Sequence, residues 1–162
     1  MKILSIPHVF EYITQYNKAK DISNEIIYGI IETESARQVD AISSSGAKGL
    51  MQLKEIVFKD VNKYYNSNYD FKNVLSPSIN ITVGSLYLQR WFNTYISQKY
   101  THCTSLYLTI LTYAWGYGNV GKWLNGKNDN AWIKKALPTD KQEYLDKVMW
   151  RVINVQRRKE ID

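Results

Sequence analysis

A single cysteine, Cys103, among 162 residues excludes an internal disulfide, and two histidines, His8 and His102, form no cluster with zinc-ligand spacing. Neither a metal centre nor another cofactor is expected, so an apolar core has to hold the fold. Prolines number only three, and Pro7, Pro77 and Pro138 each precede or open a predicted helix instead of interrupting one. No apolar run is long enough to cross a bilayer, which excludes an integral membrane segment. The opening Met1-Lys2-Ile3-Leu4-Ser5-Ile6 resembles the start of a leader, but Pro7, His8 and Glu11 break the run and no small-residue cleavage site follows. Internal repeats and low-complexity segments are absent.

The length suits a single domain, residues 1–162, expected to be monomeric. A formal charge of +6 favours an anionic partner such as nucleic acid, a membrane surface or an acidic wall polymer. Thirteen tyrosines and five tryptophans serve equally in cores, in base stacking and against sugar rings.

Helical spacing dominates the chain. Val9, Phe10, Ile13 and Tyr16 predict a first helix from Pro7 to about Lys18-Ala19-Lys20. A second begins near Asn24, with Asp21 and Ser23 as candidate caps and Glu25 in its first turn, and carries Ile26, Ile27, Ile30 and Ile31 on one stripe. From Ala36 to Lys48 the period is lost, and a loop or short strand pair around Ser43-Ser44-Ser45-Gly46 folds back before Gly49 to Leu53. Further helices are predicted from Ile56 to Tyr65, from Ser78 through Ile81, Gly84, Leu88 and Trp91, and from Leu106 to Trp115. The stretches from Asn66 to Ser76 and from Asn125 to Asn130 read as loops. Val120 and Trp123 start a short amphipathic turn between them. A last helix after Pro138 turns Tyr144, Leu145, Val148, Val152 and Val155 inward and ends in a solvated basic tail, Arg157-Arg158-Lys159.

Glu34 lies four positions past Ile30, on the apolar face, where another isoleucine would fit the stripe. Burial disfavours the charged carboxylate and raises its pKa, the property a general acid needs near neutral pH. A capped or ion-paired structural acid is the competing reading. Glu32 projects to the opposite side as a solvated charge, so the two acids do not form a catalytic pair. Asp40, in the following loop, is the nearest candidate for a second carboxylate.

The order Glu34-Ser35, Ala41-Ile42-Ser43 and Gly46-Ala47-Lys48-Gly49-Leu50-Met51-Gln52-Leu53 resembles the catalytic region of the soluble lytic transglycosylase domain. Asn80-Ile81 with Gly84 and Tyr87-Leu88, Thr112-Tyr113 through Gly116, Gly118 and Val120, and Leu137-Pro138 with Tyr144 resemble its later motifs in the same order. The resemblance implies a mainly α, lysozyme-like helical fold with a short loop/β region after the catalytic helix. It implies cleavage of the β-1,4 bond between N-acetylmuramic acid and N-acetylglucosamine in peptidoglycan without water, leaving a 1,6-anhydro end. Carried over by position, Glu34 is the sole acid and later the base. Ser43 and Gln52 line the cleft, Tyr113 holds Glu34 through its hydroxyl, Tyr144 approaches the same pocket, and Met51 packs in the core. The chain departs from the family at Arg37 and Val39, where phenylalanine and proline are frequent, and at Ala114-Trp115, where asparagine-alanine is. The second change places an indole beside the cleft, where Trp115 either stacks on a sugar or fills core.

Two alternatives stand beside the transglycosylase. A hydrolysing lysozyme of the same fold needs a carboxylate or positioned water opposite Glu34, and a non-catalytic glycan- or nucleic-acid-binding module would use the charge and aromatics. Nucleic-acid binding predicts basic residues clustered on one helix or groove, whereas here they are dispersed, so the charge is read as attraction to an anionic wall and no nucleic-acid partner is expected. Action on the murein combined with no export signal fits a phage enzyme, carried in the virion or released from the host cytoplasm, and equally a chain trimmed of its leader.

Overall fold

In the computed structural model, which describes residues 2–125 and 136–161, seven α-helices carry most of the chain. α1 (Ile6–Tyr16) starts at Ser5, whose Oγ accepts the His8 N–H at 3.4 Å, with Pro7 in the first turn. α2 (Asn24–Glu34) starts at Ser23, whose Oγ accepts the Ile26 N–H at 3.4 Å. α3 spans Glu55–Tyr65, α4 Pro77–Ser97, α5 His102–Trp115, α6 Tyr117–Leu124 and α7 Thr139–Ile161. No described helix is long and apolar enough to cross a membrane.

Several boundaries move. α1 ends at Tyr16, because Asn17 leaves helical geometry and its amide bonds Ile22 and Asn24 across the turn into α2. The stretch before α4 holds a 3-10 turn, Phe71–Asn73, capped by Asp70, and Pro77 is itself the first residue of α4. Val120 and Trp123 belong to a complete helix, α6, and the leucine run of α5 reaches back to His102. The loop expected over Gly126 to Asn130 lies outside the described residues, as do the side chains of Arg158 and Lys159; Arg157 is exposed.

α2 is a poor helix former by composition, with four β-branched isoleucines and a glycine. Packing holds it. Ile26, Ile27, Ile30 and Ile31 are buried, each contributing about 1.5–3 kcal/mol, and the helix lies against both α1 and α7. Gly29 makes the second contact close: a Cβ there would sit 2.9 Å from the Val148 carbonyl oxygen and 3.2 Å from a Val152 methyl. Helices running antiparallel in that register bring the residue four before Val148 opposite the residue five after Gly29. Those residues are Tyr144 and Glu34.

The segment between α2 and α3 forms isolated antiparallel bridges, Ile3 to Gln38, Ile42 to Lys48 and Lys48 to Leu53, without a full sheet. Two buried devices fix it to α4. Gly49 has φ +78° and an added Cβ would lie 2.3 Å from Asn80 Nδ2, so only glycine permits both the turn and the approach. At Gly84 a Cβ would lie 2.4 Å from Met51 Sδ, so the missing side chain gives the fully buried Met51 its seat.

Candidate active site

Glu34 is the last residue of α2 and is half-buried. Tyr144 donates its hydroxyl hydrogen to Glu34 Oε1 at 2.6 Å, and the second carboxyl oxygen has no partner among the described residues. Burial pushes the Glu34 carboxyl above the ordinary glutamate value of 4.5, and the Tyr144 hydrogen bond, which favours the charged form, offsets part of that rise. Burial and the neighbouring carboxylate together push the Tyr113 and Tyr144 hydroxyls well above the usual tyrosine range, so both remain protonated donors.

A cleft of about 560 Å³ runs from Glu34 past Ser43, Gln52, Tyr87, Tyr113 and Tyr144. A groove of about 390 Å³ continues on the other side, bordered again by Glu34, Ser43 and Gln52. Glu34 therefore stands where two lengths of one trough meet, an arrangement suited to a polymer bound on both sides of the bond to be cut.

The loop that forms the trough wall is folded by its own backbone bridges and anchored to the helices by side chains acting on its backbone. Ser35 Oγ donates to the Leu50 carbonyl at 2.8 Å, tying the loop to the end of α2. Asn80, fully buried, accepts the Met51 N–H at 2.8 Å through Oδ1 and donates through Nδ2 to the carbonyls of Lys48 at 3.1 Å and Val74 at 2.8 Å. The Tyr113 hydroxyl donates to the Met51 carbonyl. Gln52, at φ +49°, directs its amide nitrogen to the carbonyls of Ala41 at 3.2 Å and Gly49 at 3.0 Å, which leaves its amide oxygen as the acceptor. Ser43 Oγ accepts the Ala47 N–H at 3.0 Å and bonds Ser45 Oγ at 3.1 Å, bracing the tip of the loop.

Two expectations are corrected and one open choice is decided. Tyr144, not Tyr113, holds Glu34; Tyr113 is spent on Met51, because α5 approaches the loop while α7 approaches the end of α2. Trp115 does not line the trough. It sits half-buried against the core one residue beyond Ala114, which does line it, and the helical turn aims the two apart. Glu32 is not a solvated charge: it accepts the Tyr28 hydroxyl at 2.7 Å and pairs with Arg37 Nε at 2.6 Å, with only 16% of its side chain exposed. Ala36 and Arg37 both have positive φ and turn the chain back over the helix end, where Arg37 Nη1 also donates to the Leu4 carbonyl at 3.0 Å. The departure at position 37 thus serves an ion pair that phenylalanine could not make.

Asp40 is exposed, outside both lengths of the trough, and its Oδ1 accepts the Lys2 N–H at 3.2 Å, which holds its carboxyl below the usual range. Ser35 and Asn80 are positioning residues that the sequence reading does not single out. The signal for Asn80 is an amide on an otherwise apolar helix face; Ser35 offers none.

Replacing Tyr144 by phenylalanine tests the hydrogen bond directly. The rate should fall about tenfold or more, as expected when a group orienting the acid is lost. Because that bond lowers the Glu34 pKa, the alkaline limb of the pH–rate profile should also move to higher pH. Tyr113→Phe should leave the profile in place and act through the loop. An unmoved profile in Tyr144→Phe would show that the bond does not govern Glu34.

Similarity to known proteins agrees with this geometry. Membrane-bound lytic murein transglycosylase E of Buchnera aphidicola is 30% identical over 141 residues, covering 85% of this chain and 66% of that protein. Membrane-bound lytic murein transglycosylase C of Pectobacterium atrosepticum is 29% identical over 129 residues, covering 75% of this chain and 36% of that protein. Among solved structures, an inactive mutant of the lytic transglycosylase Slt from Pseudomonas aeruginosa superimposes with a TM-score of 0.75 at 21% identity, over 93% of this chain and 24% of that one. The 70-kDa soluble lytic transglycosylase from Escherichia coli gives 0.69 at 22%, over 92% of this chain and 24% of that one. The structural likeness establishes the expected lysozyme-like helical fold, and this chain spans less than two thirds of these relatives. The family model for the transglycosylase SLT domain matches residues 11–135, a span that holds α2, the loop behind Glu34, α4 and α5; the chain belongs to the transglycosylase SLT domain family.

Proposed function

We propose that the chain is a peptidoglycan lytic transglycosylase unit, cutting the bond between N-acetylmuramic acid and N-acetylglucosamine without water. The observation that carries the reading is a lone, half-buried carboxyl group at the centre of a long trough. Retaining and inverting glycosidases flank the bond with two carboxylates. Among the described residues the only other acid bordering the trough, Glu32, is paired with Arg37, and Asp40 lies outside it. One carboxyl suffices if the substrate supplies the nucleophile.

In that sequence Glu34 gives its proton to the glycosidic oxygen as the bond to the anomeric carbon breaks, and N-acetylglucosamine leaves with the new hydroxyl. The muramoyl C6 hydroxyl oxygen then bonds to the anomeric carbon while its proton passes to the Glu34 carboxylate, which restores the acid. Tyr144 holds the carboxyl throughout and its hydrogen bond stabilises the intermediate anion. The Gln52 amide oxygen and Ser43 serve as polar contacts to the sugar on either side of the cut bond. The relatives act, by their names, on murein, and the same substrate is proposed here.

Mass spectrometry of products from purified peptidoglycan tests the proposal. The expected muropeptides end in 1,6-anhydromuramic acid and are about 18 Da lighter than hydrolysis products, since no water is added. Reducing ends would assign the chain to the hydrolysing lysozymes instead.

A further inference from the structure

A separate cavity of about 360 Å³ lies on the reverse side of the trough's wall. Successive residues serve the two sides: Ala47 and Lys54 border the trough, whereas their neighbours Lys48 and Glu55 border this cavity. Paired backbone hydrogen bonds between Lys48 and Leu53, both 2.9 Å, hold the loop in that register. Phe71 and Leu75 supply apolar surface, and Lys72 and Asp70 complete the rim.

Two lysines and two acids border the cavity, but both acids are engaged elsewhere. Glu55 is neutralised by Lys59 at 2.9 Å, and Asp70 is held in its turn by the Lys72 N–H at 2.9 Å. Two ammonium groups then face one carboxylate. The Lys48 ammonium stands 5.2 Å from the Phe71 ring centroid, half-buried, with no ion-pair partner among the described residues. A half-buried cation without a counter-ion beside an apolar floor is completed by a carboxylate that carries a small apolar group.

We infer that this cavity binds the free carboxylate of a short peptide, with Lys48 and Lys72 on the carboxylate and Phe71 and Leu75 against the adjoining side chain. The source, resting on the function proposed above, is a peptide arm borne by the muramoyl residues of a strand lying in the trough. The arm crosses the loop edge between Ala47 and Lys48, so one strand engages both faces of the wall.

Two measurements on the intact chain test this. In the first, a free wall tetrapeptide ending in D-alanine is titrated while amide resonances are followed. Shifts at Lys48, Phe71 and Leu75 that vanish in Lys48→Gln/Lys72→Gln support the site; no shifts there overturn it, whether or not the protein is an enzyme. Equal shifts from acetate alone would also overturn the peptide assignment. In the second, initial rates are compared on peptide-bearing strands and on strands stripped of peptide by an amidase. The double variant should raise KM about tenfold on peptide-bearing strands, the worth of one charge-assisted contact, with kcat and the rates on stripped strands unchanged. Identical kinetics of variant and wild type on both substrates would overturn the inference. If wild type cleaves neither substrate, the catalytic reading fails and the titration alone decides the cavity.

Discussion

Glu34→Gln should abolish peptidoglycan cleavage and at the same time make the protein more stable at neutral pH. The amide is nearly isosteric and its oxygen still accepts from Tyr144, but it has no proton to give the leaving oxygen, so a loss of at least about a hundredfold is expected from removal of a general acid. The stability gain follows from linkage. Glu34 has a folded-state pKa above the ordinary value of 4.5, so between those two values the native protein binds more protons than the unfolded chain. Native stability therefore falls as pH rises through that window and the cost is fully present above it. The glutamine variant escapes this cost. Melting curves at several pH values should show its advantage at pH 7 and none below pH 4.5. A folded variant that still clears wall suspensions at wild-type rate would remove Glu34 from the mechanism. A melting difference independent of pH would mean that burial does not raise this carboxyl.

The second large effect is expected at a residue that touches no substrate. Asn80→Ala removes three hydrogen bonds within a fully buried site and leaves the Met51 N–H without an acceptor. Each lost bond costs about 1 kcal/mol and an orphaned buried donor a further 1–3 kcal/mol, so a total of about 4–6 kcal/mol is anticipated. In a domain of this size that is a fall in melting temperature of about 10–20 °C. Activity should fall well below the folded fraction, because the loop that presents Gln52 loses its anchor. Asn80→Asp is the sharper probe: it can still accept from Met51 but cannot donate to Lys48 and Val74, and it buries a charge. A loss under about 0.5 kcal/mol, the range of ordinary surface changes, would show that Tyr113 and Ser35 hold the loop without Asn80.

Much of this was legible in local chemistry. Ser23 and Glu25 mark the start of α2, the isoleucine stripe gives its buried face, and Glu34 on that stripe is a carboxyl out of place; each signal acts within one or two turns of helix. The glycines at 49 and 84 were legible as turn and motif residues, though not as the seats of Asn80 and Met51. What spacing along a helix cannot give is register between helices.

That limit explains each correction. Tyr113 and Tyr144 are both tyrosines on inward helix faces, far from Glu34 in sequence, and nothing local says which hydroxyl arrives. The close approach at Gly29 sets the register of α7 on α2, and that alone delivers Tyr144. The helical angle of Glu32 points it to solvent, but two successive positive-φ residues return Arg37 over the helix end. Trp115 stands open between cleft and core on the motif alone, and the turn of α5 carries it to the core. Where the helices begin, which faces they bury and that a carboxyl interrupts one of them can be read along the chain, because these depend on neighbours a few residues apart. Which distant groups hold that carboxyl, brace its loop and neutralise its neighbour is set by packing in three dimensions, because those contacts depend on how helices slide and turn against one another.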